Sequence, residues 1–376
     1  MAARHRAVWL GRSLRFCKTM NAHLAKTLDW LHIQRSFRRM PSIDGRVHRL
    51  EEALCFLKSP NFIPVESQPA PVQFDEGVNF RFASPRPSAF QENNIAYGRL
   101  YRCAARWQEK PVILLLHGGG LTRGRKSCLK YRFAYPMIAR RCNRAGFNAA
   151  TLELPYNFQR HPRPSGPQPT QDVLRMAEAV AQAIAEIRAL TGWFLAQSCS
   201  GVGLWGTSMG AWLAGLTVCR DPRLTAAVMT VPIVRSNAGI AERIIHRSRR
   251  EAWRPVFRAD EPLDATPFNL TSARPVIPKN NILLIGGIHD LVCPMKQIET
   301  LWQVWGQPDL WRLPHGHISF MSQRGLTGRV LGWLAPRMAG PCGAVKPDNA
   351  QHHPADASQP FSSAHVRGLL AGGSHR

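Results

Sequence analysis

Residues 202–210 read VGLWGTSMG, a serine held between two glycines directly after an apolar run. VGLWG (202–206) has the length and composition of a buried strand, and MGAWLAGLTVC (209–219) those of a buried helix. A solvent loop does not need the flanking glycines, and a core strand does not favour the hydroxyl. The pattern instead fits a tight strand-to-helix bend that only small neighbours allow. Such a bend lifts the Ser208 oxygen out of the fold. It also sets the positive end of a helix beneath that oxygen and leaves the Met209 N–H as a donor.

Working outward, short apolar runs alternate with helical periodicity. Strands are expected at 79–84, 96–103, 112–118, 147–154, 202–206, 224–231, 281–287 and 309–313. Helices are expected at about 131–144, 171–190, 209–219, 295–305 and 318–335. Apolar runs too short for helices, separated by helices, indicate an α/β fold with a mostly parallel sheet covered on both faces. Ligands of such sheets sit at the carboxyl ends of the strands, which is where GTSMG lies.

A serine hydroxyl needs a base to take its proton, and the base needs an orienting carboxylate. In this topology the chain order is Ser, then acid, then His. Asp290 follows the strand in NILLIGGIHD, and His315 and His317 follow the next strand in LPHGHIS. His317 is preferred because Gly316 gives its loop freedom and the final helix follows closely. Asp290 also has a competing reading as a helix cap, because Pro294 opens a helix soon after. Donors for a developing oxyanion are expected from Gly119 and Gly120 in LLLHGGG (114–120), together with the Met209 N–H.

HGGG at 117–120, GTSMG at 206–210, Asp290 and His317 together resemble the α/β-hydrolase fold, in particular its esterase and lipase-like members. The resemblance covers about residues 78–335. It implies an eight-stranded, mostly parallel sheet, with Ser208 as nucleophile, Asp290 as acid and His317 as base. A shorter match, LELPYNFQRHPRP (152–164), is similar to a poorly characterised hydrolase branch, some of whose members act on lipid acyl esters; no substrate is transferred from it.

The remaining features bound the reading. The chain has 376 residues, 44% of them apolar, enough for one large α/β domain with extensions. No run is long and apolar enough for a membrane span, and no secretory leader is visible. Nine cysteines, an odd number with no C-x-x-C, fit reduced thiols and a cytoplasmic location better than disulfides or structural zinc. The net charge of +25 is concentrated in 1–49, which holds only Asp29 and Asp44 as acids, and in RIIHRSRR (243–250). Peripheral contact with an anionic membrane fits this charge; nucleic-acid binding is disfavoured because no recognition motif accompanies it.

Residues 1–77 are expected to be a basic, partly helical extension. Leu24, Leu28 and Leu31 mark either an amphipathic surface helix or a transit-like segment; translation starting at Met20 is a further reading. The hydrolase domain is expected over 78–337, a helical lid-like insertion after the sixth strand over 232–280, and a disordered tail over 338–376. Ile240, Ile244 and Ile245 lie among the arginines of the insertion. Arg123, Arg125, Lys126, Arg160 and Arg163 sit on loops expected to rim the pocket, or simply belong to a basic surface. GVGLWG (201–206) matches a dinucleotide-binding pattern, but its glycines overlap the strand and Asp221 sits in a turn. Cys199 lacks a cationic partner and reads as a buried thiol.

The expected function is hydrolysis of a carboxylic ester, a small molecule or a lipid acyl ester, through Ser208, Asp290 and His317 with no metal or cofactor. Acyl transfer, thioester or peptide cleavage on the same residues, and a non-catalytic basic scaffold, are the alternatives.

Overall fold

The computed structural model describes residues 20–39, 49–64, 66–75, 77–119, 125–162, 173–235 and 266–339. Nine strands form one sheet: β1 Gln73–Phe74, β2 Asn79–Ala83, β3 Ile95–Tyr101, β4 Val112–Leu116, β5 Asn148–Leu152, β6 Val202–Thr207, β7 Ala226–Thr230, β8 Ile282–Gly287 and β9 Asp309–Leu313. Their order is β1-β2-β3-β5-β4-β6-β7-β8-β9. The first four of these in space pair antiparallel, and β5 through β9 run parallel. The expected count of eight strands is therefore corrected to nine. The additional strand, β1, has only two residues, too few to show a period of two in sequence.

Seven α-helices are described: α1 Ala22–Arg39, α2 Leu50–Lys58, α3 Arg125–Arg144, α4 Val173–Ala196, α5 Met209–Val218, α6 Met295–Val304 and α7 Leu326–Met338. The pleat sorts the strand residues between two layers. Val112, Leu114 and Leu116 of β4 face α2, α4, α5 and α6 in one core. Ile113 and Leu115 of the same strand face α3 and α7 in the other. All five are essentially inaccessible, which is why the central strands are continuously apolar rather than alternating. Burying each such side chain contributes about 1.5–3 kcal/mol before entropy is counted.

Four boundaries depart from the sequence reading. The final helix, expected over 318–335, is a 3-10 turn at Ser319–Ser322 followed by α7; Gly325, at φ 74°, makes the break between them. The insertion follows the seventh strand, because β1 precedes those expected. Its residues 236–265, including Ile240, Ile244, Ile245 and the basic run 243–250, lie outside the described residues. Residues 266–280 join the core instead of covering it: Phe268, Leu270 and Ile277 are buried there, and Trp212 Nε1 donates to the Phe268 carbonyl at 2.8 Å. Residues before 77 also contribute to the core, through Ala53, Leu57, Phe62 and Ala70. Met338 belongs to α7, and the rest of the expected tail from 340 onward, like residues 1–19, lies outside the described residues.

The sheet topology determines where the chemistry can sit. β4 lies between β5 and β6: the chain moves from β4 out to β5 on one side and then crosses back to β6 on the other. The loop after β4 and the bend after β6 are therefore neighbours, with Leu116 paired to Gly206. This is the switch point at which open α/β sheets bind ligands.

Candidate active site

Ser208 is the residue between β6 and α5. Its backbone is at φ 54°, ψ −115°, a strained conformation for a residue with a side chain. The glycines on either side are required by contact. A Cβ on Gly206 would lie 2.2 Å from the Gly210 carbonyl oxygen, and one on Gly210 would lie 2.3 Å from that of Leu116. The Ser208 N–H donates to Thr230 at 2.9 Å, which holds the bend against β7. Met209 opens α5, so its N–H has no acceptor within the helix.

His317 and Asp290 reach this bend from the loops after β9 and β8. His317 Nε2 stands 3.0 Å from Ser208 Oγ, and its Nδ1 stands 2.9 Å from Asp290 Oδ2. A carboxylate beside Nδ1 keeps the proton on that nitrogen and leaves Nε2 to accept from the serine hydroxyl. Asp290 Oδ1 accepts from the N–H groups of Val292 at 2.8 Å and Cys293 at 2.6 Å. One oxygen thus faces His317 and the other holds the turn at Val292 and Cys293; the capping reading is corrected, because α6 starts at Met295 after Pro294 and no side chain caps it. His315 points elsewhere: it is buried, and its Nε2 meets Gln323 Oε1 at 2.7 Å.

Burial works against a charged His317 ring, but the Cys293 sulfur and the Asp290 carboxylate favour it, and the imidazole is held well above its ordinary value. Burial pushes the Cys293 thiol up, while the His317 ring beside it acts in the opposite direction. Asp290, Cys293 and His317 offer ligand atoms within 4.8 Å of one another. A metal held there would displace the hydrogen bond between His317 and Asp290.

The glycine-rich loop begins at His117, which is fully buried. The Leu154 N–H donates to its Nε2 at 3.0 Å, so the proton sits on Nδ1 and is given to the Gly118 carbonyl at 2.8 Å. Burial lowers its pKa to about 4, and the ring stays neutral. Gly119 is exposed beside Met209, where a Cβ would come 3.3 Å from the sulfur. The structure therefore brings Gly119 next to Met209, while Gly120 lies outside the described residues.

The arginines expected at the rim divide differently. Arg160 is fully buried and forms a two-pronged ion pair with Glu186, at 2.7 and 2.6 Å; it is an internal group rather than one exposed at a rim, which corrects that expectation. Its loop runs through Tyr156 and Phe158, both at positive φ, and Phe158 packs edge-on to His117 at 5.1 Å. Arg123 and Arg163 lie outside the described residues, and Arg125 and Lys126 are in the first turn of α3. Asp221, the acid of the dinucleotide-like pattern, is buried against Arg223 at 2.6 Å, and Gly203 and Gly206 lie within β6. Burial pushes the Cys199 thiol up to about 12, which makes it inert. A shallow recess lined by Gln73, Arg81, Phe82, Ile95 and Tyr97 contains none of these groups.

Sequence reasoning missed Asp29. It is fully buried on α1, and Leu24 and Leu31, the apolar stripe expected to define that helix, are exposed instead. Ala25, Asp29 and Ile33 form the buried face. The signal available was a single acid, spaced by four from Ala25 and Ile33, in an otherwise basic helix.

With strand order and site on the page, the chain can be set beside known structures. The crystal structure of acetyl xylan esterase 1 from Thermoanaerobacterium sp. JW/SL YS485 superposes with a TM-score of 0.52 at 12% identity, covering 80% of this chain and 98% of that one. The chain has the α/β-hydrolase fold. The Pyrococcus furiosus esterase Pf2001 matches with a TM-score of 0.48 at 16% identity, over 73% of this chain and 99% of that one. No family model matches the sequence. The uncharacterized proteins MT2702 and Rv2627c of Mycobacterium tuberculosis are each 28% identical over 264 residues, 67% of this chain. The aligned region spans 60% of the length of each of these two relatives. Within this hydrolase fold, among the described residues, no helix is long and apolar enough to cross a membrane.

Proposed function

We propose that this chain is a serine hydrolase that cleaves carboxylic esters through Ser208, His317 and Asp290. The observation that carries the reading is the continuous run of hydrogen-bond distances from Asp290 Oδ2 through the His317 ring to Ser208 Oγ. Asp290 holds the imidazole with its proton on Nδ1. His317 Nε2 takes the hydroxyl proton as Oγ attacks the ester carbonyl, and the negative charge on the carbonyl oxygen is met by the N–H groups of Met209 and the glycine loop. His317 then gives its proton to the departing alkoxide, which leaves an acyl group on Ser208. Water attacks that acyl group, surrenders a proton to Nε2, and frees the acid and the serine.

Exposed apolar residues on the segments that carry or hold the acid and the base favour an ester with an apolar acyl chain. Leu24 is 50% exposed, Ile288 51% and Met321 59%. Ile288 stands two residues before Asp290, Met321 four after His317, and Leu24 on the helix that bonds to both loops. The excess of basic residues supports approach to an anionic lipid surface carrying such a substrate.

A series of p-nitrophenyl esters of increasing chain length tests both parts. Wild-type protein is expected to hydrolyse them, with kcat/KM larger for medium or long acyl chains than for acetate. Ser208→Ala is expected to lose at least about 10³-fold. The base must be neutral to act, and its pKa is raised, so kcat/KM should climb with pH along a limb above 6.5 and fall at acid pH. Full hydrolysis by Ser208→Ala, or a flat profile between pH 6 and 9, would reject the assignment.

A further inference from the structure

We propose that Asp29 is a positioning residue, a carboxylate clamp through which α1 fixes the acid loop and the histidine loop in the geometry that lets His317 reach Ser208. The inference rests on the serine hydrolase reading and goes beyond it, because Asp29 is 262 to 289 residues away in sequence from its partners in the two loops and forms its hydrogen bonds with their backbone rather than with the three reacting side chains.

The carboxylate makes three hydrogen bonds, all to backbone. Oδ2 accepts from the Leu291 N–H at 3.0 Å, directly after Asp290, and from the N–H of His317 itself at 2.7 Å. Oδ1 accepts from the Ile318 N–H at 2.9 Å. One side chain thus ties the loop after β8 to the loop after β9 at the residues that carry the acid and the base. Asp29 is fully buried, and among the described residues it forms no ion pair, so the three N–H groups are what compensate a desolvated charge.

Gly316 points to the same contact from the other side. A Cβ at that position would lie 2.6 Å from Asp29 Oδ2 and 3.0 Å from the Ala25 carbonyl oxygen. The glycine before His317 therefore makes room for α1 rather than loosening the loop. Neither Ala25 nor Ile33, the other buried apolar residues of α1, belongs to the two cores that flank the sheet. Among the described residues, Asp29 joins this helix to both site loops.

Asp29→Asn tests the clamp with little change in size. An amide has one accepting oxygen, so its NH2 must face a backbone N–H, and at least one of the three bonds is lost. Amide hydrogen exchange should accelerate by about tenfold or more in peptides covering 288–293 and 314–320, with β4 and β6 unchanged. On a p-nitrophenyl ester, kcat should fall by about 10- to 100-fold while KM stays within about threefold, the signature of misplaced rather than missing groups. Ile33→Ala removes packing from the same helix face but keeps the carboxylate; it should lower the melting temperature while kcat changes less than about threefold.

Unchanged exchange in both loops of Asp29→Asn overturns the clamp. So does accelerated exchange with wild-type kcat, or an equal loss of kcat in Ile33→Ala. If the wild-type protein hydrolyses no ester and takes no fluorophosphonate, the hydrolase reading falls, and the exchange measurement still decides whether Asp29 holds the loops.

Discussion

Arg160→Ala is expected to lower unfolding stability by about 3–5 kcal/mol, a large share of the roughly 5–15 kcal/mol that holds a typical domain folded. The guanidinium is fully buried and meets both Glu186 oxygens. It also donates to the carbonyls of Glu153 at 2.8 Å and Asn93 at 2.6 Å. Truncation therefore strands a fully buried carboxylate and two carbonyl oxygens. The replaced atoms also brace the loop after β5, where Tyr156 and Phe158 are held at positive φ and Tyr156 N–H is tied to Asn93 Oδ1 at 2.9 Å. Arg160→Lys should recover only part of the loss, since a point charge cannot span both oxygens. Denaturant midpoints with an unchanged slope measure this directly; a loss below about 1 kcal/mol would show that the pair contributes little. The same loop supplies the Leu154 N–H and the Phe158 ring to His117, so the glycine loop should loosen as well.

Asp290→Asn is expected to reduce kcat on the order of 10⁴-fold with KM nearly unchanged. The direction follows from what each oxygen does. Oδ1 faces two backbone N–H groups, so the amide oxygen of the substituted residue must stay there. Its NH2 then turns toward His317 Nδ1, which becomes an acceptor and sends the ring proton to Nε2. A protonated Nε2 cannot take the Ser208 hydroxyl proton. The fold should survive, because the two backbone bonds of Oδ1 are retained. Kinetics at a pH well above the limb of the wild-type profile are the right comparison; a variant within tenfold of wild type would mean that Asp290 does not set the tautomer.

Much of this architecture is legible in sequence because the central strands are buried on both faces and each ends at a glycine or polar break. GTSMG is legible for a stricter reason: at Gly206 and Gly210 no larger residue fits, so the backbone geometry is written into the residue types. Asp290 and His317 follow from chain order and from strands that end just before them. What escapes sequence reading is long-range and polar. Nothing local in α1 announces that Asp29 bonds to Leu291, His317 and Ile318. Arg160 looks like one more arginine on a basic chain, and only its partner 26 positions away, Glu186, reveals it as an internal strut. Gly316 suggests freedom in sequence and proves to be a contact surface. β1 escapes because two residues carry no periodicity.

The most direct test of the account is covalent labelling of Ser208 by a fluorophosphonate, read by intact mass and peptide mapping, in wild-type protein and in His317→Ala. The account predicts one phosphonyl adduct on Ser208, formed at least about 10³-fold faster in wild type than in His317→Ala. No adduct, an adduct on another residue, or equal rates in the two proteins would contradict it.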